Sequence, residues 1–383
     1  MGNQNKYLVF GAPIIQEDEI AEVVQSLRSG WIGTGPKVKR FEDNFKKYKG
    51  ASYAVALSSC TAALHLSLIA VGIQSGDEVI TSAMTFCATI NAIIHSGGTP
   101  VLADCSPITQ CIDPDDIERK ITPRTKAIIP VHFAGHACEM DEIMSLAHKY
   151  NLKVIEDCAH AIETTYKGIP VGNFGDFGCF SFYVTKNIIT GEGGMVLTKD
   201  EENVDKIKML ALHGMDKDAW HRFSDEGYKH YDVVCSGFKY NMTDLQAAIG
   251  IHQLKKVDIY REKRKAIWDR YQSEFLKLGI HCPSKPPKFI KHAYHLYTVC
   301  IDSLNPSVSR DEFLVQMGGN GIGVGVHYRS IPTHIYYQKT YGWKPEDYPH
   351  SHKIGEQTVS LPLSPKLSDV DVERIISTVK DIL

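Results

Sequence analysis

A chain of 383 residues, 43% hydrophobic and 23% charged, has the composition of a folded globular protein, which excludes disordered and collagen-like architectures. Its length suggests two domains. Lysine and arginine number 42 against 45 acidic residues, a formal net charge of -3, so no bulk electrostatic drive favours nucleic acid or an anionic membrane. Small-molecule chemistry is the starting point.

No apolar run approaches the roughly 20 residues a membrane-spanning helix needs. The N-terminal stretch lacks the basic and apolar regions of a signal peptide, and Lys6 breaks the myristoylation pattern. The 10 cysteines are scattered without a CxxC pair, so neither a zinc knuckle nor a redox dithiol is suggested. A reducing cytoplasm is the expected location, and the glycosylation sequon at Asn241-Met242-Thr243 is then accidental.

In chain order, Ile20, Val23, Val24 and Leu27 fall on one helical face. Short apolar runs of buried-strand character follow at Glu78 to Thr81, Val101 to Ala103, Ala127 to Val131 and Val154-Ile155, with Ile143, Met144 and Ala147 at helical spacing between the last two. This alternation predicts an α/β fold with a mostly parallel sheet flanked by helices. Such a sheet carries its ligand site at the carboxyl ends of its strands, where Asp104 and Asp157 stand. A charged helix, roughly Ile251 to Tyr271, marks a change of character. A large domain is expected over residues 1–260, and a smaller C-terminal α+β domain over 261–383, with strand-like Leu296 to Cys300 and Gly323 to Val326. Ser368 and Asp371 cap its final helix.

Two features suggest chemistry. Asp157 at a strand end and Lys186 in the apolar, Ser-bearing segment Gly178 to Ile188 are the pair a pyridoxal phosphate (PLP) site requires, a carboxylate for the pyridine nitrogen and an amine for the Schiff base. On spacing alone the pair is a weak signal, and a helix-capping aspartate with a solvated lysine is the commoner arrangement. Ser58-Ser59-Cys60-Thr61 leads into an apolar helix, whose free amides can hold a phosphate or simply be capped. Gly191-Glu192-Gly193-Gly194 is not a P-loop and reads as a turn into the strand Met195 to Thr198. His132 and His136 form HxxxH on a strand rather than a helix, and no metal site is expected. The other histidines form no ligand cluster in the sequence.

Together these motifs resemble the DegT/StrS-type family of PLP-dependent sugar aminotransferases. The resemblance rests on Ser58 to Leu66, Met84 to Asn91, Ile155 to Ala161, Phe180 to Asn187, Gly191 to Met195 and Gly237 to Ala248. Gly30 to Pro36 and Ser360 to Leu363 extend it over nearly the whole chain. It implies a fold type I PLP-dependent transferase, related in fold to aspartate aminotransferase and assembled as a homodimer with shared active sites.

The same resemblance assigns roles. Lys186 is the Schiff-base lysine and Asp157 the partner of the pyridine nitrogen. Phe86 stacks on the cofactor, and a core aromatic is its plainer reading. His160 neighbours the phenolic oxygen, while Cys60, Thr61 and Ser181 hold the phosphate. Thr34, Tyr183, His327 and Tyr328 are placed on the substrate side; for the last two a polar surface loop is an equal reading. Many relatives have glycine at the position of Cys60. Many also carry Asn-Tyr-Arg where this chain has Lys239-Tyr240-Asn241, so that Lys239 would reach the partner subunit's phosphate as a point charge. That form resembles members that aminate C4 of a nucleotide-linked 4-keto-deoxy sugar for amino-sugar or surface polysaccharide biosynthesis. L-glutamate would be the donor and 2-oxoglutarate the product, the cofactor cycling through pyridoxamine phosphate. A sugar dehydratase of the same family and a non-catalytic regulatory protein are the alternatives. Dehydratase relatives carry histidine where this chain has Lys186.

Overall fold

The computed structural model describes residues 7–216, 230–302 and 308–383. Helices α1 (Glu17–Ser29) and α2 (Pro36–Lys49) precede β1 (Tyr53–Leu57). Helices and strands then alternate: α3 (Cys60–Ala70), β2 (Glu78–Ser82), α4 (Cys87–His95), β3 (Thr99–Ala103), α5 (Pro114–Lys120), β4 (Thr125–Ile129), α6 (Met140–Tyr150) and β5 (Lys153–Asp157). A small hairpin, β6 (Thr165–Tyr166) and β7 (Ile169–Pro170), leads to β8 (Phe177–Ser181), β9 (Gly194–Thr198), α7 (Glu201–Ala211) and the long α8 (Asp244–Phe275). The rest comprises β10 (Ile290–Lys291), β11 (Tyr297–Cys300), α9 (Arg310–Gly319), α10 (Ile335–Tyr341), α11 (Pro349–Gln357), β12 (Thr358–Leu361) and α12 (Asp369–Ile382).

Seven strands form the main sheet in the order β1-β9-β8-β5-β4-β2-β3. The pairs from β8 through β5, β4 and β2 to β3 are parallel, and β9 alone runs against both of its neighbours. Every residue of β2, β8 and β9 is buried, which is why these strands read as continuous runs rather than alternating ones. Strand β4 ends at Ile129 because Pro130 has no N–H to continue the ladder; its carbonyl instead receives the amide of Asp157 at 2.9 Å.

Helix α1 forms where its spacing predicts, but it buries another face. Ile20 and Leu27 are 45% and 57% exposed, whereas Glu19 and Ser26 are buried. Glu19 takes hydrogen bonds from Lys256 at 2.9 Å and Gln253 at 2.9 Å, so α1 docks on α8 through polar groups and turns its apolar stripe outward. Gly323 to Val326 forms isolated bridges rather than a strand, since Ile322 meets Leu8 and Gly325 meets Ser360 from distant parts of the chain.

Helix α8 starts at a capping box of Thr243 and Gln246 and continues unbroken past Arg261. Its first half packs against α1 and α2. Its second half supplies Trp268, Tyr271 and Phe275 to a separate core with Tyr297, Phe313 and Ile376. Ile331, Tyr337 and Tyr348 leave that core and pack on Ala83, Ile90 and Leu102 beside β3. Asp104, at the end of β3, accepts the amides of His350 at 2.9 Å and Ser351 at 2.8 Å, so this strand-end acid caps α11 instead of serving a ligand.

Candidate active site

Asp157 closes β5 with its carboxylate buried. Thr89 donates to Oδ2 at 2.9 Å and the amide of Ala159 to Oδ1 at 3.1 Å. Burial pushes its pKa up, opposed by those two hydrogen bonds and by the charge of Lys186. A carboxylate so placed favours a cation against it.

Lys186 lies in the turn beyond β8, its amide bonded to the carbonyl of Tyr183 at 2.8 Å. Its side chain is partly buried, and among the described residues no hydrogen bond or ion pair engages Nζ. Burial lowers its pKa to about 8, against the opposing pull of Asp157 and Cys60. The neutral, nucleophilic amine is therefore far more accessible near neutral pH than for an ordinary lysine, whose pKa is 10.5.

The α3 terminus completes a cradle. Ser59 is the N-cap, accepting the amide of Ala62 at 3.0 Å, and the helix begins at Cys60 and Thr61, whose amides have no partner within the helix. The sheet register places Gly194 between Leu57 and Ser181, bringing Ser181 toward this terminus. A Cβ on Gly194 would lie 2.4 Å from the Ser59 carbonyl and 2.6 Å from the Cys60 nitrogen, which explains glycine at the end of the turn. Dipole and free amides suit an anion such as a phosphate. Phe86, just before α4, is 55% exposed, which rules out the core-aromatic reading.

Tyr328 and His327 join the site from the C-terminal part of the chain, so the surface-loop reading fails. The Tyr328 hydroxyl lies 3.0 Å from His160 Nε2, and its ring is 5.7 Å from that of Phe86. His327 bonds Ser360 through Nδ1 at 2.8 Å, and burial pushes its pKa down to about 4. His295, which the sequence did not single out, packs against His160 with ring centroids 4.4 Å apart and planes tilted by 37°, and bonds Asn187 at 2.9 Å. The distant histidines thus do cluster, as neutral rings beside Lys186. Asn187 also donates to Glu163 at 2.8 Å, and Glu163 is paired with buried Arg264. Thr89 sits within the quoted Met84 to Asn91 segment; nothing local marks His295 or Glu163.

Tyr183 is exposed and bridges Gly191. Thr34 and Lys239 are not brought to Lys186 within one chain. Thr34 donates to the Met242 carbonyl at 2.5 Å, receives Asn241 at 2.7 Å, and lines a groove of about 820 Å³ between α2 and α7. Lys239 is exposed beside His213 and Met215. His132, Glu156 and Cys158 form a buried group with ligand-type atoms within 4.8 Å of one another. Glu156 is committed to His132 at 3.1 Å and to the amides of Gly172, Phe174 and Gly175, and His132 Nδ1 receives the Cys138 amide at 3.1 Å. These contacts tie β5 to its surroundings. His136 bonds its neighbour's carbonyl instead.

An anion cradle, a buried acid and a lysine amine within electrostatic reach of one another, with an exposed aromatic ring packed on Tyr328 beside them, define a PLP-type transferase site. The family model described as DegT/DnrJ/EryC1/StrS aminotransferase family matches residues 13–380. The spore coat polysaccharide biosynthesis protein SpsC of Bacillus subtilis is 47% identical over 99% of this chain and 98% of its own. The PLP form of the putative sugar aminotransferase Spr1654 from Streptococcus pneumoniae superposes with a TM-score of 0.89 at 35% identity, covering 98% of this chain and 100% of that one. Helicobacter pylori PseC, an aminotransferase involved in the biosynthesis of pseudoaminic acid, gives 0.91 at 28% identity over 98% and 99% of the two chains. The chain belongs to the DegT/DnrJ/EryC1/StrS aminotransferase family and is a PLP-dependent sugar aminotransferase of fold type I.

Proposed function

We propose that this enzyme moves an amino group from L-glutamate to a keto sugar, at C4 of a nucleotide-linked 4-keto-deoxy sugar, in amino-sugar or surface polysaccharide biosynthesis. The observation that carries the reading is Lys186, an amine whose pKa burial lowers to about 8, within electrostatic reach of the buried carboxylate of Asp157. When bound, pyridoxal 5'-phosphate supplies an electron-withdrawing ring that stores the amino group between half-reactions, cycling through pyridoxamine phosphate. Asp157 holds the ring nitrogen as a cation. The amides at Cys60 and Thr61 and the hydroxyls of Thr61 and Ser181 take the phosphate, while Phe86 covers the ring. Lys186 Nζ, once released, would accept the proton from Cα of the amino donor as general base. Tyr183, His327 and Thr34 serve the sugar. The roles of SpsC in spore coat polysaccharide biosynthesis and of PseC in pseudoaminic acid biosynthesis support a sugar acceptor.

The working unit is a homodimer in the cytoplasm. Ile20, Leu27, Trp31 and Ile32 offer an exposed apolar stripe for the two-fold contact, and Lys239 completes the phosphate site of the other subunit. Each chain divides into a large domain, residues 1–260, and a smaller one, 261–383. Among the described residues no helix is long and apolar enough to cross a membrane. A panel of keto sugars, nucleotide-linked and free, offered with glutamate and scored by the mass of aminated product, tests the assignment. Amination confined to 4-keto nucleotide sugars is the expected result, and amination at another position or no amination would refute it.

A further inference from the structure

His160 has both ring nitrogens committed. The amide of Ala134 donates to Nδ1 at 3.3 Å, and Nε2 lies 3.0 Å from the Tyr328 hydroxyl. A ring nitrogen that accepts an N–H carries no proton, so a neutral His160 must carry its proton on Nε2. The ring is neutral: burial first, then Lys186, His295 and His327, hold its pKa well below the usual histidine range. Nε2–H therefore donates to the Tyr328 oxygen. The phenol's own hydrogen must point elsewhere, and the hydroxyl makes no second hydrogen bond among the described residues.

Tyr328 is also rigidly held. Its ring stacks on His160 at 5.9 Å and 20°, with Phe86 at 5.7 Å and Phe133 at 6.0 Å. Burial, then Asp157, Cys87 and Cys60, raise its pKa beyond the ordinary tyrosine range, so it remains a donor throughout the working pH range. A fixed hydroxyl with a spare proton thus sits against the Phe86 ring and beside His160, which itself lies within electrostatic reach of Lys186, while His160 has no free proton to give.

We propose that Tyr328, oriented by His160, donates the hydrogen bond that the cleft offers to the phenolic oxygen of bound pyridoxal phosphate. The inference rests on the PLP reading and assigns to Tyr328 a contact that the family resemblance gives to His160. His160 is then a positioning residue, fixed by the Ala134 amide.

The test is the pH titration of the visible absorbance of PLP-loaded protein. A donor on the phenolic oxygen stabilises its negative charge most when no proton is shared with the neighbouring nitrogen. Removing the donor should therefore raise the pH at which that proton is lost. Tyr328→Phe, which keeps the ring packing, should raise the midpoint by about 1 to 2 pH units, the scale of a hydrogen bond to a charged group. His160→Gln should shift it less, and adding it to Tyr328→Phe should shift it no further. An unmoved midpoint in Tyr328→Phe, with a full shift in His160→Gln, would return the contact to His160. An unmoved midpoint with a raised KM for keto sugar alone would make Tyr328 a substrate contact. Absence of any visible band in wild-type protein given PLP would instead overturn the cofactor reading itself. Thermal unfolding of the cofactor-free variants separates these outcomes from loss of fold.

Discussion

Thr89 donates its hydroxyl to Oδ2 of Asp157 at 2.9 Å, joining the first turns of α4 to the end of β5. The same helix begins just after Phe86, so one short element sets both the aromatic face and the orientation of the acid. Thr85 lies 2.9 Å from the Thr89 hydroxyl and holds it in turn.

Asp157→Asn should impair chemistry far more than folding. The amide keeps the shape and the Ala159 contact but cannot hold a ring nitrogen as a cation. Loss of such an electrostatic partner costs on the order of 100-fold or more in rate. Thr89→Val should lower the rate by about tenfold, through misorientation of the carboxylate alone. Single-turnover rates with glutamate, compared with unfolding midpoints, check both. Wild-type turnover in Asp157→Asn would leave the residue a mere cap.

Lys186 should carry the cofactor covalently. Borohydride reduction of the loaded protein followed by peptide mapping is expected to place the pyridoxyl mass on Lys186, and an adduct on another lysine would refute the assignment. Lys186→Ala should lose transamination while retaining the phosphate contacts. With PLP absent, the amine's reactivity toward an acylating reagent should rise through pH 8, near the value to which burial lowers it.

Much of this site is visible in the sequence because its signals are local. Asp157 ends an apolar run, Cys60 and Thr61 follow a capping serine, and Lys186 lies in a segment whose strand and turn are continuous in the chain. The rest depends on tertiary contacts. His295, His327 and Tyr328 reach the cleft only through packing of the C-terminal part, and Glu163 acquires its meaning from Arg264 on α8. The buried face of α1 is misleading for the same reason. Glu19 reads as a solvent residue until Lys256 and Gln253 arrive from α8 to satisfy it.

Buried Lys49 should leave a signature in stability. Its ammonium donates to the Ile162 carbonyl at 2.8 Å and lies 4.9 Å from the Phe180 ring, yet burial lowers its pKa to about 8 from 10.5. Between those values the unfolded chain binds more protons than the folded one, so this group makes stability rise with pH through the window. Lys49→Met should flatten the slope by up to one proton's worth, about 1.4 kcal/mol per pH unit. Denaturant unfolding of the cofactor-free protein at several pH values from 7.5 upward provides the measurement. An unchanged slope would mean that Lys49 is not neutralised on folding.

Lys239 tests the assembly. It is exposed on the segment that pairs with Leu57 and Leu212, while its neighbours Phe238 and Tyr240 turn inward onto His65 at 4.8 and 6.0 Å. That alternation points the lysine away from its own α3. If it completes the phosphate site of the other subunit, Lys239→Glu sets a carboxylate against a phosphate dianion and should yield a folded dimer poor in cofactor. Lys186→Ala chains are inactive for a different reason. Mixing the two variants under conditions of subunit exchange should therefore restore partial activity. In a heterodimer, one site draws Lys186 from the Lys239→Glu parent and Lys239 from the Lys186→Ala parent, and is whole. Heterodimers that form and stay inactive, or a Lys239→Glu protein that binds PLP as wild type does, would show that Lys239 is not the trans phosphate ligand. The 4-keto sugar assignment would then lose its main residue-level support.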